Sequence, residues 1–208
     1  MRIVSHAHAD QRGFTLAEFL VAIAIVGLIM AGVLTIIMTG NETYATGANQ
    51  IEAQQAARVA LERMVREIRG AGYNPKSAAC PPNCPIVAAP GLANPTATAL
   101  LIQNDNDGNG AFAGPTERIV YTLNGTNLQR QDLDVVGSQP ETIVGGIQAL
   151  TFTYLDENDA VIVVVPGNIQ TIRSVQISLT TQPENQPAAW QIGKVLVTMS
   201  DKIRLRNR

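Results

Sequence analysis

The chain has 208 residues and a formal net charge of −2; 46% of its residues are hydrophobic, and aromatic residues make up only 4% of the chain. This length suits one domain with a substantial core, or two small ones. A near-neutral chain with few aromatic side chains lacks the basic surface and the stacking groups that nucleic-acid binding uses. Nucleic acid is therefore not expected as a partner.

Histidine is confined to the extreme N-terminus, at His6 and His8. The rest of the chain therefore has no residue for a Ser-His-Asp or Cys-His catalytic group or for a histidine-ligated zinc site. Phosphate-binding glycine loops, dinucleotide-binding loops and the nucleophile elbow are also missing from the sequence. We expect a protein that is not an enzyme.

The N-terminal region combines a polar leader, residues 1–13, with an uncharged apolar run from Phe19 to Met38. About 20 apolar residues in a helix span the ~30 Å hydrocarbon core of a membrane. A secretory signal peptide has a shorter apolar core, so the run is interpreted as a retained anchor. Arg2 and Arg12 precede it and no basic residue follows until Arg58, which places the leader in the cytoplasm and the rest outside.

A carboxylate, Glu18, lies at the start of this apolar segment, where ionisable groups are costly. It closes the run Gly13-Phe14-Thr15-Leu16-Ala17-Glu18, which resembles the cleavage motif of the type IV prepilin family. The resemblance implies that a prepilin peptidase cuts after Gly13, that Phe14 is then N-methylated, and that Glu18 is needed for assembly. The alternative for Glu18 is a side chain that reaches the lipid headgroups.

The same resemblance implies the partners and the location of the chain. The partners are other pilin or pseudopilin subunits, prepilin peptidase, an assembly platform in the inner membrane, and lipid. The expected location is the bacterial inner membrane and then a pilus or pseudopilus in the periplasm or at the cell surface. Within such an assembly, Glu18 is expected to pair with the N-terminal ammonium of Phe14 on a neighbouring subunit.

Helical periodicity continues beyond the anchor, with apolar residues that include Ala57, Leu61 and Ile68. The helix is predicted to end near residues 70–72, because glycine favours a helix stop and Pro75 prevents continuation. We divide it into a membrane and assembly half, residues 14–40, and an amphipathic half, residues 41–72.

Residues 73–98 are rich in proline and contain the only cysteines, Cys80 and Cys84. The segment is predicted to be a connector without a helix. The C-P-P-N-C spacing lacks the second pair of a zinc ribbon and is one residue longer than a C-x-x-C redox motif. A local disulfide is favoured if the segment faces an oxidising compartment, and two free thiols are the alternative.

From residue 99 to residue 208 the apolar period changes to two, which predicts a β-rich exported domain. The predicted strands are Ala99–Gln103, Arg118–Leu123, Asn127–Arg130, Leu150–Leu155, Val161–Val165, Ser174–Thr181 and Lys194–Ser200, with a tight turn at Asn124-Gly125. The expected fold is α+β and resembles the type IV pilin fold: a long N-terminal helix packed on an antiparallel sheet.

One loop of this domain, which begins Asp105-Asn106-Asp107-Gly108-Asn109-Gly110, resembles the first half of a calcium loop. Asp105, Asp107 and Asn109 hold its first, third and fifth positions. Glu117 comes one residue after the twelfth position, where a calcium loop has its carboxylate. An ordinary glycine-rich and asparagine-rich loop is the favoured interpretation, and a calcium site, with calcium as the one cofactor considered, is the alternative.

Three later segments, Gly72–Pro75, Glu117–Leu123 and Ile203–Asn207, are most similar to minor pilins of the PilW/GspJ-like group. This similarity implies a minor pilin or pseudopilin that initiates or caps a type IV pilus or a type II secretion pseudopilus. A filament-tip adhesin and a bitopic membrane protein that never polymerises are the alternatives. The basic residues from Lys202 to the C-terminus fit the solvated face of an edge strand, or a patch that docks an acidic partner.

Overall fold

A computed structural model describes residues 13–77, 80, 84–92, 94–164, 167–183 and 196–207. The chain divides into two compact units, residues 1–45 and 46–208. One helix, α1, runs from Leu16 to Gly70 and contributes residues to both units. The predicted leader up to residue 12 lies outside the described residues.

The first unit consists, where it is described, of the start of α1 and the three residues before it. Every side chain from Phe14 to Ala45 is exposed. The helix is long and apolar enough to cross a membrane. A helix that is apolar on all sides needs an apolar environment, because water does not favour so large an exposed apolar surface. This part of the chain fits the predicted membrane anchor.

In its described residues, the second unit contains the remainder of α1, a short 3-10 helix at Ile169–Thr171 and eight antiparallel strands in two sheets. The first sheet has the order β1-β2-β3-β4-β5, and the second has the order β6-β7-β8. The strands are β1 (Ile86–Val87), β2 (Ala99–Gln103), β3 (Arg118–Asn124), β4 (Asn127–Asp132), β5 (Glu141–Val144), β6 (Ile147–Leu155), β7 (Ser174–Thr181) and β8 (Val197–Arg204).

The main core joins the apolar stripe of α1 to both sheets. The buried residues of the stripe are Ala53, Ala57, Ala60, Leu61, Met64 and Ile68, which recur at helical spacing. The small alanines allow the helix to approach the sheets closely, where it meets residues such as Tyr121 of β3 and Ile177 of β7. The expected α+β architecture, a long helix packed on antiparallel sheets as in type IV pilins, is confirmed.

Polar contacts also hold α1 to the first sheet. The hydroxyl of Tyr121 donates to Glu67 Oε2 at 2.7 Å, and Arg130 Nε donates to Glu67 Oε1 at 3.1 Å. Burial, and then the negative charge of Glu67, raise the pKa of Tyr121 far above its usual range. The hydroxyl therefore remains a donor across the physiological pH range.

The predicted strands agree with the structure for β2 and β7 to the residue, and the turn at Asn124-Gly125 joins β3 to β4. The prediction of a strand at Val161–Val165 is wrong for residues 161–164, and Val165 lies outside the described residues. Val161 forms an isolated bridge with Leu155, and residues 162–164 continue without strand structure. The alternation is real, because Ile162 and Val164 pack on the core while Val161 and Val163 are exposed. Alternation alone, without a partner strand, does not form a sheet.

The helix ends where three distant parts of the chain meet. Asn207 Nδ2 donates to the carbonyl of Gly70 at 2.9 Å, and the amide of Gly72 donates to the carbonyl of Gln103 at 2.8 Å. Gly72 has φ +82°, and a Cβ there would lie 2.5 Å from the Asn207 carbonyl oxygen and 2.8 Å from Pro85 Cβ. Glycine is required at this point because no side chain fits.

Candidate functional site

The predicted processing motif lies at the start of α1. Glu18 Oε2 accepts hydrogen bonds from the amide and the hydroxyl of Thr15, both at 2.9 Å. The amide of Glu18 donates in return to the Thr15 hydroxyl at 3.3 Å. Thr15 precedes the first helical residue and Glu18 is the third residue of the helix, so the two form a capping box.

This capping box places the charge of Glu18 at the positive end of the helix dipole. Within a single chain the carboxylate is thus hydrogen-bonded locally, and Glu18 remains exposed, as do Gly13 and Phe14. The exposed Gly13–Phe14 peptide bond directly precedes the first helical turn. The arrangement offers a peptidase an accessible non-helical bond and offers a neighbouring chain an accessible carboxylate.

A second candidate site is the loop of residues 104–117, which connects β2 to β3. The Asp105 carboxylate is buried and accepts three backbone hydrogen bonds. Gly108 and Asn109 donate to Oδ1 at 2.8 and 3.1 Å, and Gly110 donates to Oδ2 at 2.8 Å. Gly108 and Gly110 have φ +74° and +92°, which lets the chain turn tightly around the carboxylate. Asp105 therefore organises the first half of the loop.

Glu117 organises the other half from the opposite side of the loop. Its side chain is buried and accepts four backbone hydrogen bonds: Oε1 accepts from Asn106 and Asp107, and Oε2 accepts from Ala113 and Gly114. Burial alone raises the pKa of this carboxyl group, but the four amide donors outweigh burial, so the pKa is lowered. Glu117 is a buried anion stabilised by backbone dipoles.

The structure brings three of the four predicted calcium ligands together. Asp105, Asp107 and Glu117 each offer one carboxylate oxygen, and these oxygens lie within 4.8 Å of one another. The fourth predicted ligand, Asn109, donates from Nδ2 to Asp107 Oδ2 at 2.7 Å and accepts at Oδ1 from the amide of Ala111. A set of carboxylate oxygens suits a hard cation such as calcium. The backbone amides already use part of the capacity of the two buried carboxylates.

The cysteines lie in the proline-rich connector, where Cys80 and Cys84 form a disulfide. Its neighbour in the connector is the two-residue strand β1, which pairs with β2. This short strand was not predicted, because two residues carry no readable periodicity. The disulfide closes a small ring next to the point where the connector joins the sheet.

Two residues that stabilise α1 were not predicted from the sequence. Thr15 forms the cap of α1, and the spacing Thr15-x-x-Glu18 was a readable signal for it. Glu67 is the other, and nothing in the sequence pointed to it because its partners Tyr121 and Arg130 lie 54 and 63 residues away.

Residues 8–34 match the family described as the prokaryotic N-terminal methylation motif. No curated protein sequence matches the chain. The matched stretch contains Gly13, Phe14 and Glu18, together with most of the exposed apolar helix. Residues 8–34 therefore carry a type IV prepilin-like motif, which suggests a structural subunit and fits anchoring in a membrane.

Proposed function

We propose that this chain is a minor pilin or pseudopilin. Prepilin peptidase removes residues 1–13 and methylates Phe14, and the exported β-rich unit then helps to initiate or cap a type IV pilus or a type II secretion pseudopilus. The observation that carries the proposal is the methylation motif at residues 8–34, placed at the start of an exposed apolar helix. The similarity of Gly72–Pro75, Glu117–Leu123 and Ile203–Asn207 to the PilW/GspJ-like group favours a minor subunit.

The exposed carboxylate of Glu18 supports assembly in particular. A free α-amino group has a pKa near ~8 and is largely charged at neutral pH. A carboxylate within hydrocarbon needs a partner, and an α-ammonium about 4 Å away attracts it by roughly 4 kcal/mol at an effective dielectric of about 20. In our proposal Glu18 exchanges its contact with Thr15 for the Phe14 ammonium of a neighbouring subunit, which fixes the register of the packed helices.

Processing is tested by intact mass after extraction from membranes. In a strain with active prepilin peptidase we expect a chain of 195 residues, the 208 of the full chain less the 13 of the leader, with one added methyl group. The matched strain without the peptidase retains Met1. Retention of Met1 in both strains would refute processing and leave a bitopic membrane protein.

Assembly is tested with Glu18→Gln. The variant keeps a side-chain oxygen for the Thr15 cap, so we expect normal cleavage and insertion, but at least a tenfold loss from sheared or purified filaments. Normal incorporation would show that Glu18 only reaches the headgroups. Deletion of the protein distinguishes an initiating or capping subunit from a tip adhesin. If adhesion is lost while filaments and secretion remain intact, the protein is a tip adhesin.

A further inference from the structure

A groove with a cavity volume of about 760 Å³ runs between the second half of α1 and strand β8. Its apolar residues are Leu61, Val65 and Met199, all at least partly buried and part of the main core or packed against it. The groove lies within the unit of residues 46–208 and does not include the processing motif or the acidic loop.

The charged lining of this groove is mainly basic. Arg58 is paired with Glu62 at 3.5 Å across one helical turn. Among the described residues, no ion pair joins Arg66, Arg69 or Arg206 to an acidic side chain. Asp201 is the one further acidic group in the lining, so three arginines face one aspartate. An otherwise slightly acidic protein thus concentrates positive charge beside an apolar strip.

The other side of the groove is formed by β8, which is an edge strand of its sheet. β8 is the last strand of the order β6-β7-β8, and in the described part of the chain it pairs only with β7, over its full length from Val197 to Arg204. Its outer backbone donors and acceptors can therefore pair with another extended segment. Eight strand residues extend roughly 26 Å, which exceeds the roughly 16 Å of helix between Arg58 and Arg69.

We propose that this groove docks an extended, acidic segment of another protein, which adds to the edge of β8. The backbone of the segment would pair with β8, and the side chains on its face toward α1 would be both apolar and acidic. The apolar ones would contact Leu61, Val65 and Met199, and the carboxylates would contact Arg66 and Arg69. A peptide helix leaves the backbone groups of β8 without partners, so the extended form is favoured. The inference holds whether or not the chain polymerises.

Binding is tested with the full chain in detergent micelles and a fluorescein-labelled octapeptide of the sequence Ser-Val-Ser-Glu-Ser-Val-Ser-Glu with blocked termini, which places valine and glutamate on the same face of a strand. We expect saturable binding that weakens as sodium chloride is raised from 50 to 300 mM. The same peptide with lysine in place of glutamate should not bind. Absence of saturable binding, or equal binding of the two peptides, overturns the proposal.

Two charge reversals locate the contact. Arg66→Glu combined with Arg69→Glu should weaken peptide binding at least about tenfold, since two attractions become repulsions. Arg204→Glu is the matched control on the same strand, because Arg204 does not line the groove, and it should change affinity less than about twofold. Circular dichroism and melting curves establish that all variants are folded. Equal losses in the control and the double variant overturn the assignment.

Hydrogen exchange tests the strand pairing directly. Peptide binding should slow exchange of amides between Val197 and Arg204. Protection of α1 without protection of β8 would contradict strand addition. Tighter binding of a 20-base-pair DNA duplex than of the acidic peptide, sensitive to the same double reversal, would identify a nucleic-acid surface and overturn the proposal.

Discussion

At the residue scale, Glu117 shows how a buried charge is stabilised without a cationic side chain. Four backbone amides donate to its two oxygens, and each hydrogen bond to a charged group contributes about 1.5–3 kcal/mol when its loss is measured singly. In a glutamine, an NH₂ group replaces one carboxylate oxygen. Two backbone N–H groups would then face another donor and not an acceptor. A neutral isostere is therefore not equivalent at this position.

We predict that Glu117→Gln lowers the free energy of unfolding at pH 7 by about 2–4 kcal/mol. The pKa of Glu117 is lower in the folded state, so its stabilisation is fully present above the unfolded pKa of about 4.3 and is lost as pH falls through the folded value. The difference in the free energy of unfolding between the variant and the wild type should therefore become smaller as the pH falls from 5 to 3.

Urea unfolding at a series of pH values, followed by circular dichroism, measures this difference. Glu157→Gln is the control, since Glu157 is an exposed acidic residue in the loop after β6. Its effect should stay within about 0.5 kcal/mol. A pH-independent difference for Glu117→Gln would contradict a charged Glu117 in the folded protein.

At the element scale, the loop of residues 104–117 serves as a compact connection between β2 and β3 and as the predicted calcium site. Calcium binding there stays a prediction from the sequence, supported by the approach of Asp105, Asp107 and Glu117. A ligand that binds only the folded state at one hundred times its Kd adds about 2.7 kcal/mol to the free energy of unfolding. A higher melting temperature is the expected sign of binding.

We predict that millimolar calcium raises the melting temperature of the full chain and that a chelator reverses the change. Asp107→Asn should remove most of the calcium-induced rise and leave the calcium-free melting temperature nearly unchanged. An asparagine oxygen can still accept the backbone amide of Asn109, and the bond that is lost, from Asn109 Nδ2, is exposed to solvent. Magnesium serves as the control cation. A melting curve that is unaffected by calcium or chelator would contradict calcium binding and show that the backbone hydrogen bonds alone hold the loop.

At the scale of the whole molecule, the end of α1 is a junction of the helix, the connector and the C-terminal residues. We predict that Gly72→Ala lowers the free energy of unfolding by about 2–4 kcal/mol, because the new Cβ would meet the backbone oxygen of Asn207 and the ring of Pro85 at a positive φ. Gly70→Ala is a matched control, since a Cβ there has no neighbour within 4 Å.

Thermal unfolding of the two glycine variants checks this prediction. Gly72→Ala should lower the melting temperature by roughly 5–15 °C, whereas Gly70→Ala should leave it unchanged or raise it slightly. Similar melting temperatures for both variants would show that the junction adapts to a side chain.

The sequence by itself determined the features that reside in neighbouring residues. The Gly13–Glu18 motif and the apolar run after it depend only on local order and helical spacing, so they predicted the prepilin-like N-terminus and the anchor. For the same reason the glycines and Pro75 predicted the end of α1 near residues 70–72, and the helix ends at Gly70. Strands β2 and β7 could be read from their β-branched residues and turn boundaries.

Only the tertiary structure decided which distant residues meet. Residues 161–164 lie outside the sheets, although their alternation matches that of a strand, because pairing depends on a partner edge and not on the segment alone. The approach of Asp105 and Glu117 depends on the register of β2 and β3, and the contact of Glu67 with Tyr121 depends on how α1 crosses the first sheet. The arginine-lined groove exists because α1 and β8, far apart in the chain, leave a gap between them.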